Sequence, residues 1–385
     1  MVRKKNYSKI IVSTSSFMTV ETFLLMFIKS LSNYFEVFVV TNLNSLSKDE
    51  INHYEKNYNF KLLHIPIKRK ISLIYDIITL LKTIIIINKI KPTISVSLNP
   101  KAGLITSISA YINNVNFRVH IFNGQIWYNK IGFKKKFLKF FDYLTFYFSN
   151  KILCESFSQK NFLLKNGFTK KDIKILGYGS MMGVDTSHFV PNIKLRNFLK
   201  DKYNIKKSDK VCMFVGRINY DKGLNLIIHA SNYFKNKDDI FFVLVGDNEL
   251  EVFEFFNLIK SQKNIIYLGH KKKINEILNI ADLVILPSLR EGFGISVIEA
   301  ASLEKATIVS DIDGLRDTVI NNETGLLFEV NNQNDFIRKI SFLLDKQKLT
   351  KKMGKKAREN VLKKYERKTV IYLYTQYLVD LCKYI

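Results

Sequence analysis

Two short segments combine glycines and charged residues in a spacing that suits the binding of a diphosphate. The first, residues 216–223, reads GRINYDKG and directly follows an apolar run. Arg217 offers a planar fork of N–H donors, and Lys222 offers a compact positive charge. Gly216 permits a tight turn, and Gly223 lies where a helix would begin, so backbone N–H groups and the helix dipole add positive potential. Taken alone, the segment is also typical of a solvated turn in a lysine-rich chain.

The second segment, residues 288–300, reads SLREGFGISVIEA after another apolar run. Gly292 and Gly294 let a ligand approach the backbone closely, and the unpaired N–H groups of the following helix can face an anion. On the loop, Glu291 can accept hydrogen bonds from sugar hydroxyls. Glu299, further along the helix, can reach a ribose diol held over the helix start, although this position also suits a surface glutamate.

The hydrophobic pattern predicts the elements that position these segments. Apolar runs predict strands at 9–14, 37–41, 93–97, 117–122, 151–154, 210–215, 241–245, 264–268, 283–286 and 307–310. Helical spacing predicts helices at 19–34, 71–90, 133–148, 158–166, 225–234, 274–279 and 294–303, a loop entering a helix at 100–110, and helix from 335 to the end. The polar stretch 191–210 is the predicted linker.

Strands that alternate with helices predict parallel sheets, and the pattern restarts in the second half of the 385-residue chain. We therefore expect an α/β protein with two doubly wound domains. Ligands of such sheets bind at the carboxyl ends of the strands, so the sequence predicts a ligand cleft between the two halves.

The pairing of residues 216–223 with 291–299 resembles glycosyltransferase family 4, and the string TGLLF at 324–328 strengthens the resemblance. It covers nearly the full chain. The first half resembles the subgroup that builds bacterial surface polysaccharides and lipid-linked oligosaccharides. The motifs that carry this resemblance lie at 99–104, 119–127, 176–180, 183–185 and Phe189.

This resemblance implies the GT-B fold, with two Rossmann-like domains facing a cleft. It implies an acceptor domain at 1–190, a nucleotide-sugar domain at 205–365, and a last helix at 366–385 that packs back toward the first domain. The implied reaction is a retaining transfer of a hexose or N-acetylhexosamine from a nucleotide sugar, commonly UDP-linked. The implied acceptor is a polysaccharide precursor, either linked to polyprenyl diphosphate or a free saccharide. The resemblance also implies that the reaction requires no metal and no cofactor beyond the donor.

Carried over by position, the resemblance assigns catalytic roles to Arg217, Lys222 and Glu291. Positions expected to contact the donor are Gly216, Arg217, Lys222, Glu291, Gly292, Phe293, Gly294, Ile295, Glu299, Ser16 and Asn123. The two cations would offset charge on the leaving nucleotide, while Glu291 and the backbone of 292–295 would hold sugar and phosphate. Glu299 would bind the ribose hydroxyls.

The first half departs from the subgroup at three places. Asn123 stands where relatives often have histidine, and it can hydrogen-bond but cannot shuttle a proton. His120 lies three residues earlier, and we expect it to be a packed strand residue. Met182 replaces a frequent asparagine. The loop 13–18 lacks the usual glycines, although hydroxyl groups such as that of Ser16 can still bond to a phosphate.

A net charge of +26, from 60 Lys+Arg against 34 Asp+Glu, indicates an anionic partner or a compositional bias toward lysine. Lysines at 134, 135, 136 and 139 lie among aromatic residues, which is typical of helices that rest on anionic membranes. Nucleic-acid binding is the competing class, yet no recognition helix, zinc spacing or RNA-binding aromatic motif is found. An epimerase or hydrolase with the same fold is the other alternative.

Cellular location is constrained by the three cysteines and by the apolar segments. Cys154, Cys212 and Cys382 are far apart in sequence, which fits a reducing cytosolic setting. The run at 10–12 is too short for a signal peptide. Asp76, Lys82 and Asn88 interrupt the apolar segment 71–90, so we expect a buried or surface-docked helix there and a protein peripheral to the inner face of the cell membrane.

Overall fold

The computed structural model describes residues 8–68, 71–260 and 262–384, which divide into two compact units. The first unit comprises the chain up to Met182 together with residues from Lys368 onward, and the second comprises Gly183–Arg367. The sequence predicted a first domain at 1–190, but the structure places 183–190 in the second unit. There Val184 pairs with Glu366, and Phe189 lies in the hydrophobic core.

The first unit is built on a seven-stranded parallel sheet in the order β3-β2-β1-β4-β5-β6-β7. Its strands are β1 Lys9–Ser13, β2 Glu36–Thr41, β3 Lys61–His64, β4 Ile94–Leu98, β5 Phe117–Phe122, β6 Lys151–Cys154 and β7 Ile173–Lys174. The central strand β1 pairs with β2 on one side and β4 on the other, so Ile10 is registered with both Val37 and Ile94. The strand order reverses at this point.

Helices cover both faces of this sheet. They are α1 Phe17–Thr19, α2 Leu25–Leu31, α3 Lys48–Tyr58, α4 Leu73–Ile90, α5 Pro100–Ile112, α6 Gly132–Phe148 and α7 Phe157–Lys165, with a π-helical turn at Val20–Leu24 between α1 and α2. The C-terminal helix, Arg367–Leu381, buries Val370, Tyr374 and Leu378 in the same core as β1 and β4.

The second unit contains a six-stranded parallel sheet in the order β10-β9-β8-β11-β12-β13. Its strands are β8 Lys210–Val215, β9 Ile240–Val245, β10 Ile265–Gly269, β11 Leu283–Leu286, β12 Ala306–Ser310 and β13 Gly325–Phe328. Its helices are α8 Ile193–Lys202, α9 Leu224–Tyr233, α10 Val252–Lys260, α11 Ile274–Ile277, α12 Ile295–Ser302, α13 Gln333–Asp345 and α14 Gln347–Lys364, with 3-10 turns at Tyr220–Lys222 and Leu278–Ile280.

The predicted linker at 191–210 contains helix α8. Arg196 on this helix donates to three successive carbonyls, Asn279–Ala281, at 2.7–3.0 Å and to the Asp282 carboxylate at 2.7 Å. The amine of the buried Lys200 donates to the carbonyl of Asp209 at 2.5 Å. The helix therefore docks through cationic side chains as well as through the buried Leu199. Because several docking residues are charged, the polarity of the segment predicted a linker.

Other differences from the predicted elements are local. The stretch 100–110 is helical from Pro100 onward, because proline is well suited to the first helical position, where its missing N–H is not needed. The sequence did not predict α3, β3, β7 or α10. Strands β5, β6, β8 and β11 begin and end where the apolar runs predict them. Such runs mark strands of a parallel sheet that are buried on both faces.

Candidate functional site

The two glycine-containing segments lie side by side at the carboxyl edge of the second sheet. Residues 216–223 follow β8 and residues 288–294 follow β11, and these strands are neighbours in which Leu283 is paired with Cys212. The strand order reverses between β8 and β11, and ligands of doubly wound sheets bind at such switch points.

Tight packing and hydrogen bonds join the two loops. Gly223 has a φ of 80°, and a Cβ atom at this position would lie 2.0 Å from the carbonyl oxygen of Pro287. The N–H of Leu289 donates to the carbonyl of Asp221 at 2.9 Å, and Arg290 Nη2 lies 3.3 Å from an Asp221 carboxylate oxygen. The relative position of the loops is thus fixed by backbone contacts that require glycine at 223.

This packing brings Lys222 and Glu291 into a direct ion pair between Lys222 Nζ and Glu291 Oε1. Both side chains are largely buried, and the hydroxyl of Ser288 donates to the same carboxylate oxygen at 2.9 Å. Two of the three predicted catalytic residues therefore meet at one point. A cation and a carboxylate held together in a partly buried site can bind the phosphate and hydroxyl groups of one ligand.

The third predicted catalytic residue, Arg217, is paired with a residue that the sequence did not single out. Its Nη1 lies 2.8 Å from Glu249 Oε1 and 3.0 Å from Oε2, and Asn219 Nδ2 donates to the same carboxylate at 2.7 Å. Glu249 comes shortly after β9, whose neighbour in the sheet is β8. The guanidinium is about half exposed, so an incoming anion can compete with Glu249 for it.

The segment from Gly292 to Ile295 contributes its backbone more than its side chains. Phe293 is buried and packs edge-on against Tyr365, with ring centroids 5.4 Å apart. A Cβ atom at Gly294 would lie 2.5 Å from Leu315, so this glycine is needed for packing as well as for access. The predicted set of free N–H groups at the helix start is smaller than expected, because the N–H of Ile295 donates to the carbonyl of Phe293 at 2.9 Å.

A third loop, which follows β12, packs against the backbone of Glu291 and Gly292. Gly314 has a φ of 93°, and a Cβ atom there would lie 2.6 Å from the carbonyl oxygen of Glu291 and 2.8 Å from that of Gly292. Glycine at 314 therefore lets the loop 311–314 pack directly against the backbone that carries Glu291.

Glu299 lies on α12, where it is partly exposed. Removal from water raises its pKa to about 7, against an ordinary value of 4.5, while the positive charge of Arg367 acts in the opposite direction. No hydrogen bond from the described residues offsets this burial. A carboxylate in this state gains from hydroxyl donors, as a ribose diol would supply.

The remaining predicted contacts, Ser16 and Asn123, lie in the first unit, which is described by itself. Ser16 is exposed and caps α1, where its hydroxyl accepts from the N–H of Met18 at 3.3 Å. Asn123 follows β5 and is partly exposed. His120 is buried on β5, as predicted. Its Nδ1 lies 2.9 Å from the Ser97 hydroxyl, and burial lowers its pKa to about 3, so it remains neutral.

The loop after Asn123 is anchored by Trp127, which is fully buried. Its indole N–H donates to Asp142 on α6 at 2.8 Å, and its ring stacks on Phe168 with centroids 6.2 Å apart. Burial raises the pKa of Asp142 to about 7, and the indole hydrogen bond acts against this. The polar loop 123–126 is thereby held on a rigid support at the carboxyl edge of the first sheet.

Within 8–68, 71–260 and 262–384, no three His, Cys, Asp or Glu side chains are grouped as a metal site would require. Over the same residues, no helix combines the length and the hydrophobicity needed to cross a bilayer.

Comparison with known proteins identifies the family. The profile of the family described as Glycosyl transferases group 1 matches residues 196–360, which include most of α8 and the site loops 216–223, 288–294 and 311–314. The capsular polysaccharide biosynthesis glycosyltransferase CapM of Staphylococcus aureus is 30% identical over 323 residues, covering 82% of this chain and 84% of CapM. The chain belongs to the group 1 glycosyltransferases.

Two further comparisons support this assignment of family and fold. An Escherichia coli UDP-Gal:alpha-D-GlcNAc-diphosphoundecaprenol alpha-1,3-galactosyltransferase is 27% identical over 301 residues, covering 76% of this glycosyltransferase and 77% of the relative. The crystal structure of Anabaena HepE in complex with UDP-glucose matches with a TM-score of 0.79 at 15% identity, covering 98% of this chain and 100% of HepE. At that identity the likeness establishes the fold, which is GT-B.

The predicted family and fold are thus confirmed for this glycosyltransferase, while the roles of individual residues stay predictions. Sequence reasoning missed Glu249, which its place after β9 at the carboxyl edge could have revealed. It also missed Arg367, for which the sequence offers no signal. Arg367 is positioned by the pairing of Val184 with Glu366 and by its own N–H, which donates to the carbonyl of Val184 at 2.9 Å.

Proposed function

We propose that this glycosyltransferase moves a hexose or N-acetylhexosamine from a UDP-linked sugar donor to a precursor of a surface polysaccharide. In this proposal the precursor is linked to polyprenyl diphosphate. The observation that carries the proposal is the Lys222–Glu291 pair at the switch point of the second sheet. The name of CapM supports a role in polysaccharide synthesis, and that of the Escherichia coli relative supports a UDP-linked donor and a diphosphoundecaprenol-linked acceptor.

In this proposal the donor diphosphate lies between Lys222 and Arg217. Each cation exchanges a carboxylate partner, Glu291 or Glu249, for phosphate oxygens when the donor binds. The freed Glu291 carboxylate then accepts hydrogen bonds from the donor sugar. Charge that develops on the leaving diphosphate is stabilised by groups already in place, which lowers the barrier without reorganisation.

The proposed transfer is retaining and follows a same-face route. The bond between the anomeric carbon and the diphosphate oxygen breaks, and the acceptor hydroxyl oxygen bonds to the same face of that carbon. The hydroxyl proton passes to the departing phosphate, so the products are the nucleoside diphosphate and the extended glycan. The two cations supply the electrostatic stabilisation that a metal ion supplies elsewhere, so we propose that no metal is required.

The first unit would present the acceptor at the carboxyl edge of its sheet, and Ser16 and Asn123 at that edge stay predicted contacts of the donor. We also propose that α6 rests on an anionic membrane surface, with the protein on the inner face of the cell membrane. Phe133 at its start is 81% exposed, and Lys134 and Lys136 are exposed beside it.

A donor screen against a polyprenyl-diphosphate-linked acceptor tests the proposal. Nucleotide release and the anomeric configuration of the product are measured, with and without EDTA. We expect acceptor-dependent release, retained configuration and no effect of EDTA. Release without acceptor would instead indicate a hydrolase or epimerase, and an inverted product would refute the same-face route.

Variants of the second unit test the assigned residues in the same assay. Lys222→Ala and Glu299→Ala should each abolish transfer while circular dichroism remains unchanged. Full activity in either variant would overturn the role assigned to that residue.

A further inference from the structure

Helix α4 in the first unit is apolar on its outward face as well as on the face that packs against the core. Its outward face carries Leu73, Ile74, Ile77, Ile78, Leu81 and Ile85, all exposed, with Leu73 at 75% and Ile74 at 73%. Positions 74, 77, 78, 81 and 85 recur at helical spacing, so they form one continuous stripe. Water-soluble helices place such residues inward, because exposing them costs free energy.

The inward face of α4 explains how the helix folds in this orientation. It buries two threonines, Thr79 and Thr83, among its few buried positions. The hydroxyl of Thr79 donates to the carbonyl of Tyr75 at 2.6 Å, and that of Thr83 donates to the carbonyl of Thr79 at 2.7 Å. Ile87 and Ile90 complete the buried face. The core side of the helix is thus occupied without the aliphatic residues of the outward stripe.

Helices α4, α5 and α6 form one layer on the same face of the first sheet. Each connects parallel strands in the direction β3 to β4 to β5 to β6, and right-handed crossovers place such helices together. α5 contacts both α4 and α6, and Lys101 on α5 pairs with Asp76 on α4 at 2.8 Å. The aliphatic stripe of α4 and the exposed phenylalanines of α6 thus belong to a single layer.

The charges of this layer favour an anionic partner. The three helices contain seven lysines and two aspartates. Both aspartates are engaged, Asp76 with Lys101 and the buried Asp142 with Trp127. Lys82 and Lys89 are exposed on α4 itself.

We propose that α4 is a membrane-inserting helix, which lies in the plane of an anionic bilayer with its aliphatic stripe among the acyl chains while the lysines of α4 and α6 contact the headgroups. An in-plane helix needs an apolar face, not a length that spans the bilayer. The net charge of +26 opposes a second copy of this chain as the occupant, whereas it attracts phosphatidylglycerol or similar lipids.

Insertion of α4 would also position the acceptor, an inference that rests on the proposed function. α4 follows β3 and α6 follows β5, so both helices begin near the carboxyl edge of the first sheet, where Ser16 and Asn123 lie. Insertion of this end would bring the diphosphate of a membrane-anchored acceptor to that edge, because the diphosphate lies at headgroup depth.

Flotation with vesicles tests insertion without donor or acceptor. The probes are vesicles of phosphatidylcholine alone and vesicles of phosphatidylcholine with phosphatidylglycerol. Ile74→Asp and Ile85→Asp should each lower partitioning into mixed vesicles by about ten-fold or more, from the loss of one inserted aliphatic side chain. The matched control is Ile193→Asp on α8 in the second unit, where Ile193 is 67% exposed, and it should partition like the wild type.

A fluorescent probe separates insertion from adsorption and from self-association. An environment-sensitive label on Ile77→Cys, in a Cys382→Ser background, should shift to the blue only when mixed vesicles are added and should be quenched by lipids brominated in their chains. A label on Ile193→Cys should not respond. A label at 77 that stays in water with vesicles present, or that is already shifted without vesicles in a protein that sediments as an oligomer, would overturn the proposal. Nucleotide binding by the same protein reports separately on the proposed function.

Discussion

Glu299, whose side chain keeps only limited exposure to water, creates a conflict between stability and donor binding that one substitution can reveal. Burial raises the pKa of its carboxyl to about 7 from an ordinary value of 4.5. Between these two values the folded protein holds a proton that the unfolded chain has released. Stability should therefore fall as pH rises through this window, and the full cost should be present above about pH 7.

The size of the cost follows from the difference between the two pKa values. It corresponds to at most about 3 kcal/mol of unfolding free energy once Glu299 is ionised, because its residual contact with water reduces the cost. Glu299→Gln keeps the shape of the side chain and removes the ionisation. The variant should match the wild type near pH 4 and be more stable by up to about 3 kcal/mol near pH 8.

Hydrogen exchange with mass spectrometry is the suitable assay, because it reports separately on the second unit. Opening free energies are compared near pH 5 and pH 8 for peptides that cover α12 and β12, after correction for intrinsic exchange rates. Glu359→Gln, at an exposed position on α14, is the matched control and should show no such pH-dependent gain. A Glu299→Gln variant that is less stable at pH 8 would refute the reasoning.

The same substitution should weaken UDP binding by roughly ten- to hundred-fold, since a hydrogen bond to a charged group contributes about 1.5–3 kcal/mol. Wild-type binding below pH 7 should also release a proton, which calorimetry in buffers of different ionisation enthalpy detects. Unchanged affinity in Glu299→Gln would remove Glu299 from the ribose site.

Two further predictions concern the loops that build the site. Gly223→Ala should destabilise the second unit by more than about 1 kcal/mol in hydrogen exchange, because its φ of 80° and the Pro287 carbonyl both oppose a Cβ atom. Gly269→Ala has a similar φ of 67° but open space around it, so it measures the strain alone, and equal losses would show that the contact with Pro287 is unimportant. Glu249→Gln should tighten UDP binding by up to about five-fold in calorimetry, since it frees the half-exposed Arg217 from its competitor. Weaker binding would instead mean that Glu249 orients Arg217 for the donor.

Much of the fold follows from continuous apolar runs. β8 and β11 are covered on both faces, so their residues are apolar apart from Lys210 at the start of β8, and the runs predict where the strands lie. The sequence predicted a linker in place of α8, because the docking of this helix depends on hydrogen bonds from Arg196 and Lys200 to backbone carbonyls. Such bonds depend on tertiary structure, which composition does not reveal.

Within the site, the sequence identified residues more readily than their partners. Lys222 and Glu291 were predicted separately, and their contact depends on the sheet order that makes β8 and β11 neighbours. The hydrogen bond that engages the N–H of Ile295 depends on the local turn, so no spacing rule could predict it. The exposed aliphatic stripe of α4 also required the structure, because an apolar segment does not reveal which of its faces is buried.

The central claim is that the second unit binds a nucleoside diphosphate through Lys222. Titration calorimetry with UDP, GDP and ADP tests it most directly, using the wild type, Lys222→Met and the surface control Lys235→Met. We predict that the wild type and the control bind one of the three nucleoside diphosphates saturably, and we expect that nucleotide to be UDP. Lys222→Met should bind roughly ten- to hundred-fold more weakly, from the loss of one charge-assisted contact. Wild-type affinity in Lys222→Met, or no binding of any of the three nucleotides by the wild type, would contradict the account.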